Sequence, residues 1–323
     1  MERLLLPDCS ALIATALEED FAFGPDYTSL ATVPGEARCT AEFTAREAGT
    51  IAGLGLIEEV LEATAQRLAQ WGVDTAGSAL ADAPAPTITL HSTDGDRVAP
   101  GQVIATVQAP TLLVLAAERT MLNMVSHVSG IATQTRRWVD AIAAAAADTG
   151  TPDCVKQAQV RDTRKTLPGL RALQKYAVRA GGGANHRMGL GDAAMIKDNH
   201  VLAVGGSVAT ALRRVREHTP DIACEVEVDT LDQLEEVLPL HPDMVLLDNF
   251  ALADVLTAVH RRDARSPSTA LEASGGLTLD QADEYGTSGV DYIAVGALTH
   301  SVRVLDIGLC LLYTSDAADE RSS

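Results

Sequence analysis

Residues Ile222–Phe250 read IACEVEVDTLDQLEEVLPLHPDMVLLDNF. Ile222–Val228 predicts a strand, Leu231–Leu238 a helix, and Met244–Leu247 an apolar strand that runs into Asp248. The rhythm continues downstream with a helix over Leu252–His260, a strand over Thr269–Ala273, a helix from Leu279 and a last strand over Tyr292–Val295. Strands alternating with helices predict parallel βα units in series. About six strands are expected, short of the eight of a complete α/β barrel. Polar and glycine residues stand at successive strand ends: Glu227, Asp248, Ser274-Gly275-Gly276 and Gly296-Ala297. Each alone could be a turn or a solvated strand end. Together they fall where such barrels build their sites.

Upstream the pattern differs. Ser10–Glu19 reads as an amphipathic helix and Ala37–Arg46 as a strand. Gly55–Trp71 reads as a second helix, and Thr87–Leu90 and Gln102–Val107 as strands around Asp94-Gly95-Asp96 and Pro100-Gly101. These turn signals predict an antiparallel sheet with helices on one face. Residues 1–114 are therefore expected to form an α+β domain, and residues 115–309 the barrel. Leu115–Ala147 predicts a long helix, broken near Gly130 because glycine weakens a helix interior. After Leu309 the run CLLYTSDAADERSS lacks periodicity, so residues 310–323 are expected to be a tail outside the fold, non-native or disordered.

Composition narrows the function. The chain has 323 residues and a formal net charge of -19. No basic stripe with interleaved aromatics is present, which argues against nucleic acid. No apolar run approaches the roughly 20 residues of a membrane span, and the N-terminal segment lacks a signal-peptide pattern. The five cysteines are widely spaced with no C-x-x-C, so a reduced cytoplasmic setting is expected rather than a disulfide framework or a zinc knuckle.

One segment breaks the acidic trend. Between Lys156 and His200 there are nine Lys/Arg and three Asp/Glu. Arg164-Lys165 precedes a Pro168-Gly169 turn, His186-Arg187 follows the Gly181–Gly183 run, and Lys197 ends the apolar stretch Ala193–Ile196. Cations at element boundaries can converge in one cleft and bind a small polyanion bearing carboxylates or phosphates. The plainer alternative is a solvated helix face. The Gly-rich loops after the last two expected strands let backbone N–H groups approach an anion, with a following helix N-terminus adding its positive end.

Thr163-Arg164-Lys165-Thr166, the glycine run into Asn185-His186-Arg187, and Ile196-Lys197-Asp198-Asn199-His200 resemble the quinolinate phosphoribosyltransferase family, from about Leu6 to Leu309. The resemblance implies an incomplete α/β barrel with a sandwich-like N-terminal domain. It implies transfer from phosphoribosyl pyrophosphate to quinolinate with decarboxylation, giving nicotinate mononucleotide in NAD biosynthesis. It assigns Arg119, Arg164, His186, Arg187 and Lys197 to the quinolinate dicarboxylate, and Lys165 to the donor pyrophosphate. It assigns Ser274, Gly275, Gly276 and Gly296 to the donor 5-phosphate, with Ala297 next in that loop. It also implies a homodimer in which Arg119 enters the partner's site, although a helix-surface arginine is the simple alternative.

Glu227 and Asp248 suit a cationic ribosyl transition state and could hold Mg²⁺, directly or through water. The family motif points to Glu227, but Glu225, two residues earlier, projects to the same side and stays open. His300 is a weaker phosphate candidate, equally readable as a surface histidine. Competing readings are a phosphoribosyltransferase for nicotinate, a non-catalytic barrel binding a phosphorylated ligand, and a metal-dependent hydrolase. Five cations are surplus for one carboxylate, idle acids disfavour the second, and the third lacks clustered histidines.

Overall fold

A computed structural model describes residues 4–73, 85–148 and 156–312. The chain forms two compact units: residues 1–133, 172–181 and 302–323, and residues 134–171 and 182–301. The first opens with α1 (Ser10–Phe21), α2 (Tyr27–Thr32), β1 (Arg38–Ala45), β2 (Gly49–Thr50) and α3 (Gly55–Ala69). It continues through β3 (Thr87–Leu90), β4 (Arg97–Val98), β5 (Val103–Pro110), the first part of α4 (Thr111–Asp148) and most of α5 (Arg171–Ala180). Strand β1 alternates as a half-buried strand should, with Cys39, Ala41, Phe43 and Ala45 inward. Helix α3 buries Leu56, Ile57, Val60, Leu61 and Leu68, and α1 buries Ile13, Leu17 and Phe21.

In the second unit, β6 (Gln159–Arg161), β7 (Ala194–Ile196), β8 (Cys224–Val228), β9 (Met244–Asp248), β10 (Ala270–Ser274) and β11 (Tyr292–Ala294) form one parallel sheet. The order is β6-β11-β10-β9-β8-β7, with β6 and β7 at opposite ends and, among the described residues, β6 bridged on its far side only by Ala184, so the barrel is incomplete, as expected. The helices are α6 (Asp198–Ala203), α7 (Val208–His218), α8 (Leu231–Val237), α9 (Leu252–Arg265), α10 (Ala282–Gly286) and α11 (Ala297–His300). Thr230 starts α8 by accepting the Gln233 backbone N–H, a standard N-cap. Because side chains alternate along a strand, Val226, Val228, Val245, Leu247, Leu271 and Ile293 are wholly buried on one face. Glu225, Glu227, Leu246, Asp248, Glu272 and Ser274 fall on the other, and that face carries the polar groups.

Three expectations change. The compact units do not follow 1–114, 115–309 and 310–323. Helix α4 is continuous over 38 residues and is not broken at Gly130. A Cβ at Gly130 would lie 2.1 Å from the Arg303 carbonyl oxygen and 2.9 Å from Val304 Cα, so this glycine admits a crossing backbone. Finally, Cys310–Leu312 are not tail. They belong to β12 (Ile307–Leu312), which pairs antiparallel with β1 from Ala45↔Ile307 to Thr40↔Leu312 and edges the sheet β12-β1-β5-β3. Pairing across some 270 residues leaves no local signal. The rest of that expectation, residues 313–323, lies outside the described residues.

Gly130 gives a test by sign. In an unobstructed helix, Gly→Ala stabilises by about 0.5–1 kcal/mol. Here Gly130→Ala should destabilise by about 1–3 kcal/mol, because backbone yields less readily than a side chain. A lowered midpoint in thermal unfolding is expected; a raised one would mean that the crossing is absent.

Candidate active site

The polar face of the parallel sheet opens into a cavity of about 390 Å³. Its walls are Thr163, Arg164 and Lys165 after β6, His186 and Arg187 after the glycine run, and Met195 and Lys197 at the end of β7. Glu227 of β8, Leu246 and Asp248 of β9, Glu272 and Ser274 of β10 and Ala294 of β11 complete it. The short strands explain the convergence: each ends at the same rim and delivers its next polar residue there.

The cations are held in different ways. Lys197 Nζ donates to Glu227 Oε2. The Arg187 guanidinium donates to the Ala193 carbonyl at 2.9 Å, while its Nε and that of Arg164 are buried without a hydrogen-bond partner. Burial first, then the neighbouring Arg164 charge, lowers the Arg187 pKa from its usual value. Two partly buried guanidiniums with unused donors are poised for an anion, since orphaned buried donors are costly. Lys165 is exposed; its carbonyl accepts from Thr299 Oγ1 at 2.9 Å. A Cβ at Gly296 would stand 3.2 Å from Lys165 Cδ and 3.3 Å from His300 Cδ2, so Lys165, Gly296 and His300 lie together.

The loop after β10 requires its glycine. Gly275 has φ +106°, and a Cβ there would lie 2.3 Å from Asn249 Oδ1 and 2.5 Å from its backbone N. Asn249 is itself left-handed at φ 55°; its side chain donates to Asp248 at 2.7 Å, and its backbone N–H donates to the Ser274 carbonyl at 2.9 Å, which ties the ends of β9 and β10 together. Ser274 lines the cavity; Gly275, Gly276, Gly296 and Ala297 follow at the strand ends. The helix expected to add a positive end after Gly296 is α11, only four residues long. So short a helix aligns few peptide dipoles, and the backbone N–H groups of the loop are the main resource.

Glu225 and Glu227, left open by spacing, take different places. Glu227 lines the cavity, whereas Glu225 is buried and accepts from His186 Nε2 at 2.7 Å. His186 Nδ1 accepts the Arg187 backbone N–H at 2.7 Å, so both ring nitrogens are engaged within the protein. Buried Asp162 accepts from Asn185 Nδ2 at 2.5 Å and from the His186 backbone at 2.9 Å, fixing the segment that presents Arg187.

Glu272 was not singled out from sequence. It is fully buried, and Arg161 Nη1 donates to its Oε2 at 2.7 Å. Burial, and then the charge of Glu225, pushes its pKa well up. The signal was a lone acid within the apolar strand TALEA. Arg119 is exposed on α4, in the other compact unit, and has no ion pair among the described residues.

Residues 26–129 match the family model described as quinolinate phosphoribosyl transferase, N-terminal domain, and residues 131–310 match that of the C-terminal domain. The chain is 51% identical over 312 residues to nicotinate-nucleotide pyrophosphorylase [carboxylating] of Mycobacterium leprae, covering 95% of this chain and 100% of that protein. It is 38% identical over 307 residues to the probable enzyme of that name from Bacillus subtilis, covering 94% and 93%. The crystal structure of nicotinate-nucleotide pyrophosphorylase from Ehrlichia chaffeensis superposes with a TM-score of 0.80 at 30% identity, covering 95% of this chain and 100% of that one. With both domains matched and the cavity built from the motif residues, the chain belongs to the quinolinate phosphoribosyltransferase family.

Proposed function

We propose that this protein transfers the phosphoribosyl group of phosphoribosyl pyrophosphate to quinolinate and releases CO₂, forming nicotinate mononucleotide and pyrophosphate. The observation that carries this reading is one cavity holding Arg164, Arg187 and Lys197 together with Glu227 and Asp248. The guanidiniums, with their unused Nε donors, suit two adjacent ring carboxylates. The pyridine nitrogen attacks C1 of the donor as pyrophosphate leaves, and Glu227 and Asp248 face the positive charge that develops on the sugar. The ring nitrogen, now cationic, stabilises the carbanion left when the 2-carboxylate departs. Lys165, Ser274 and the Gly275-Gly276 and Gly296-Ala297 loops serve the donor phosphates. The protein chiefly positions two polyanions and supplies countercharge.

Glu227 and Asp248 also fit Mg²⁺. Both are carboxylates on one cavity wall, and each keeps acceptor capacity beyond its bond to Lys197 or Asn249. They would hold the ion, which when bound offsets donor pyrophosphate charge. Free Cys9, Cys39, Cys224 and Cys310 suit a reducing compartment, and we assign the activity to the cytoplasm. No helix among the described residues is long and apolar enough to cross a membrane.

With phosphoribosyl pyrophosphate and Mg²⁺, CO₂ release should require quinolinate, and nicotinate should be a poor substrate. A comparable kcat/KM for nicotinate would reject the dicarboxylate reading. Arg187→Ala should lose about 2–3 kcal/mol of transition-state stabilisation, roughly 30- to 150-fold in kcat/KM for quinolinate, with folding retained. Wild-type kinetics would remove Arg187 from the site.

We also assign a homodimer in which Arg119 serves the partner's site. Arg119→Ala and Glu227→Ala should each be nearly inactive. After subunit exchange about half the dimers are mixed, and roughly a quarter of sites should regain both groups, as a two-fold interface requires. Confirmed exchange without regained activity would place Arg119 in its own subunit's site or outside any site.

A further inference from the structure

The proposed reaction gives Lys165 to the donor pyrophosphate, yet Lys165 is an exposed loop residue and makes no ion pair among the described residues. A lysine ammonium is a point charge on a flexible four-carbon stem, so it serves a polyanion best when its backbone and stem are held in advance. We propose that Thr299 is a positioning residue for donor binding. Its buried hydroxyl fixes Lys165 against the Gly296 loop, so that the groups for the pyrophosphate and for the 5-phosphate are set as one unit. The assignment rests on the phosphoribosyltransferase reading above.

The main chain of Lys165 is held on both sides. Strands β6 and β11 run parallel from Gln159↔Tyr292 to Arg161↔Ala294, and Val295 N donates to the Arg161 carbonyl at 2.9 Å. Past these ends, the chain after β6 carries Lys165 and the chain after β11 carries Gly296 and Thr299. Thr299 is wholly buried. Its Oγ1 lies 2.9 Å from the carbonyl oxygen of Lys165, 134 residues away, and 3.3 Å from the Gly296 carbonyl of its own turn. A threonine hydroxyl in a helix usually bonds back to its own turn. Here the remote carbonyl is the nearer acceptor for the one hydroxyl proton. On the other side, Thr163 Oγ1 accepts the Lys165 N–H at 3.0 Å.

The stem of Lys165 is held by the same short helix. A Cβ at Gly296 would stand 3.2 Å from Lys165 Cδ, tighter than ordinary van der Waals contact, so the stem runs against bare backbone. Gly296 is the N-cap of α11 and Thr299 lies three residues on. One helical turn therefore supplies both the surface for the stem and the hydroxyl for the main chain. Thr163 and Lys165 line the reaction cavity, whereas Thr299 does not. Any effect of Thr299 on a substrate must pass through what it holds. Losing its hydroxyl leaves the β6–β11 pairing in place and frees the loop that carries Lys165.

Thr299→Val keeps the shape of the side chain and removes the hydroxyl. With phosphoribosyl pyrophosphate, quinolinate and Mg²⁺, it should raise KM for the donor roughly tenfold and leave KM for quinolinate within about twofold of the unmutated enzyme. KM does not depend on how much of a variant is folded. Thr299→Ser, which keeps the hydroxyl, should restore the donor KM. The decisive comparison is a double-mutant cycle with Lys165→Ala. If Thr299 acts through Lys165, Thr299→Val adds nothing further to the donor KM of Lys165→Ala. Equal rises in both KM values, a donor KM in Thr299→Ser as high as in Thr299→Val, or effects that multiply in the double variant would each overturn the assignment. So would a lowered melting temperature with both KM values unchanged, which marks a structural hydroxyl. Should Thr299→Val fail to fold, Thr299→Ala takes its place in the cycle, and an unchanged donor KM there overturns the assignment in the same way. No quinolinate-dependent CO₂ from the unmutated protein would reject the phosphoribosyltransferase reading itself; normal CO₂ release with a donor KM untouched by loss of the hydroxyl would reject this assignment alone.

Discussion

Charge balance on the inner face of an open parallel sheet is the constraint on which the rest of this structure depends. Strand alternation commits one face of β8, β9 and β10 to apolar packing and turns Glu225, Glu227, Asp248 and Glu272 toward the other. Ionised carboxyls crowded on one face repel, and burying them uncompensated is prohibitive. The compensating cations come mainly from Arg161–Lys197, a segment that would otherwise be anomalous in so acidic a chain. Lys197 meets Glu227, Arg161 meets Glu272, and His186 bonds to Glu225. The same pairing that lets the barrel fold leaves Arg164 and Arg187 with unspent donors facing the cavity.

Glycine serves this arrangement in two distinct ways. At Gly275 a positive φ and the contact with Asn249 hold the ends of β9 and β10 close together, so Asp248 and Ser274 share one rim. At Gly130 the missing side chain admits the backbone of residues 303–304 across α4, and Leu305 N donates to the Ser126 carbonyl beside that crossing. The first shapes a binding loop; the second sets where the chain returns to pair β12 with β1. Neither follows from the usual reading of glycine as a helix or strand breaker.

The residues around His186 show how support and chemistry interlock. Asp162 fixes the backbone at Asn185-His186, and His186 in turn accepts the Arg187 N–H. A guanidinium meant to bind a dicarboxylate needs such preorganisation, because each ångström of misplacement weakens a bidentate contact. Buried polar groups here act as a network in which each satisfied bond orients the next.

The sequence by itself determined the parallel βα order from residue 222 onward, the local basic segment and the polar strand ends, because periodicity, turn residues and charge are local properties. It also marked the motif residues Arg164, Lys165, His186, Arg187, Lys197, Glu227 and Asp248, all of which reach one cavity. Tertiary structure decided the rest. The separation of Glu225 from Glu227 depends on which of the two meets His186. The continuity of α4 past Gly130 depends on a chain segment more than 170 residues away, and β12 on a partner strand still farther. Glu272 looks like a stray acid in TALEA until Arg161, Glu225 and His186 are brought around it. In each case the deciding partner is remote in sequence, and only packing brings the two together.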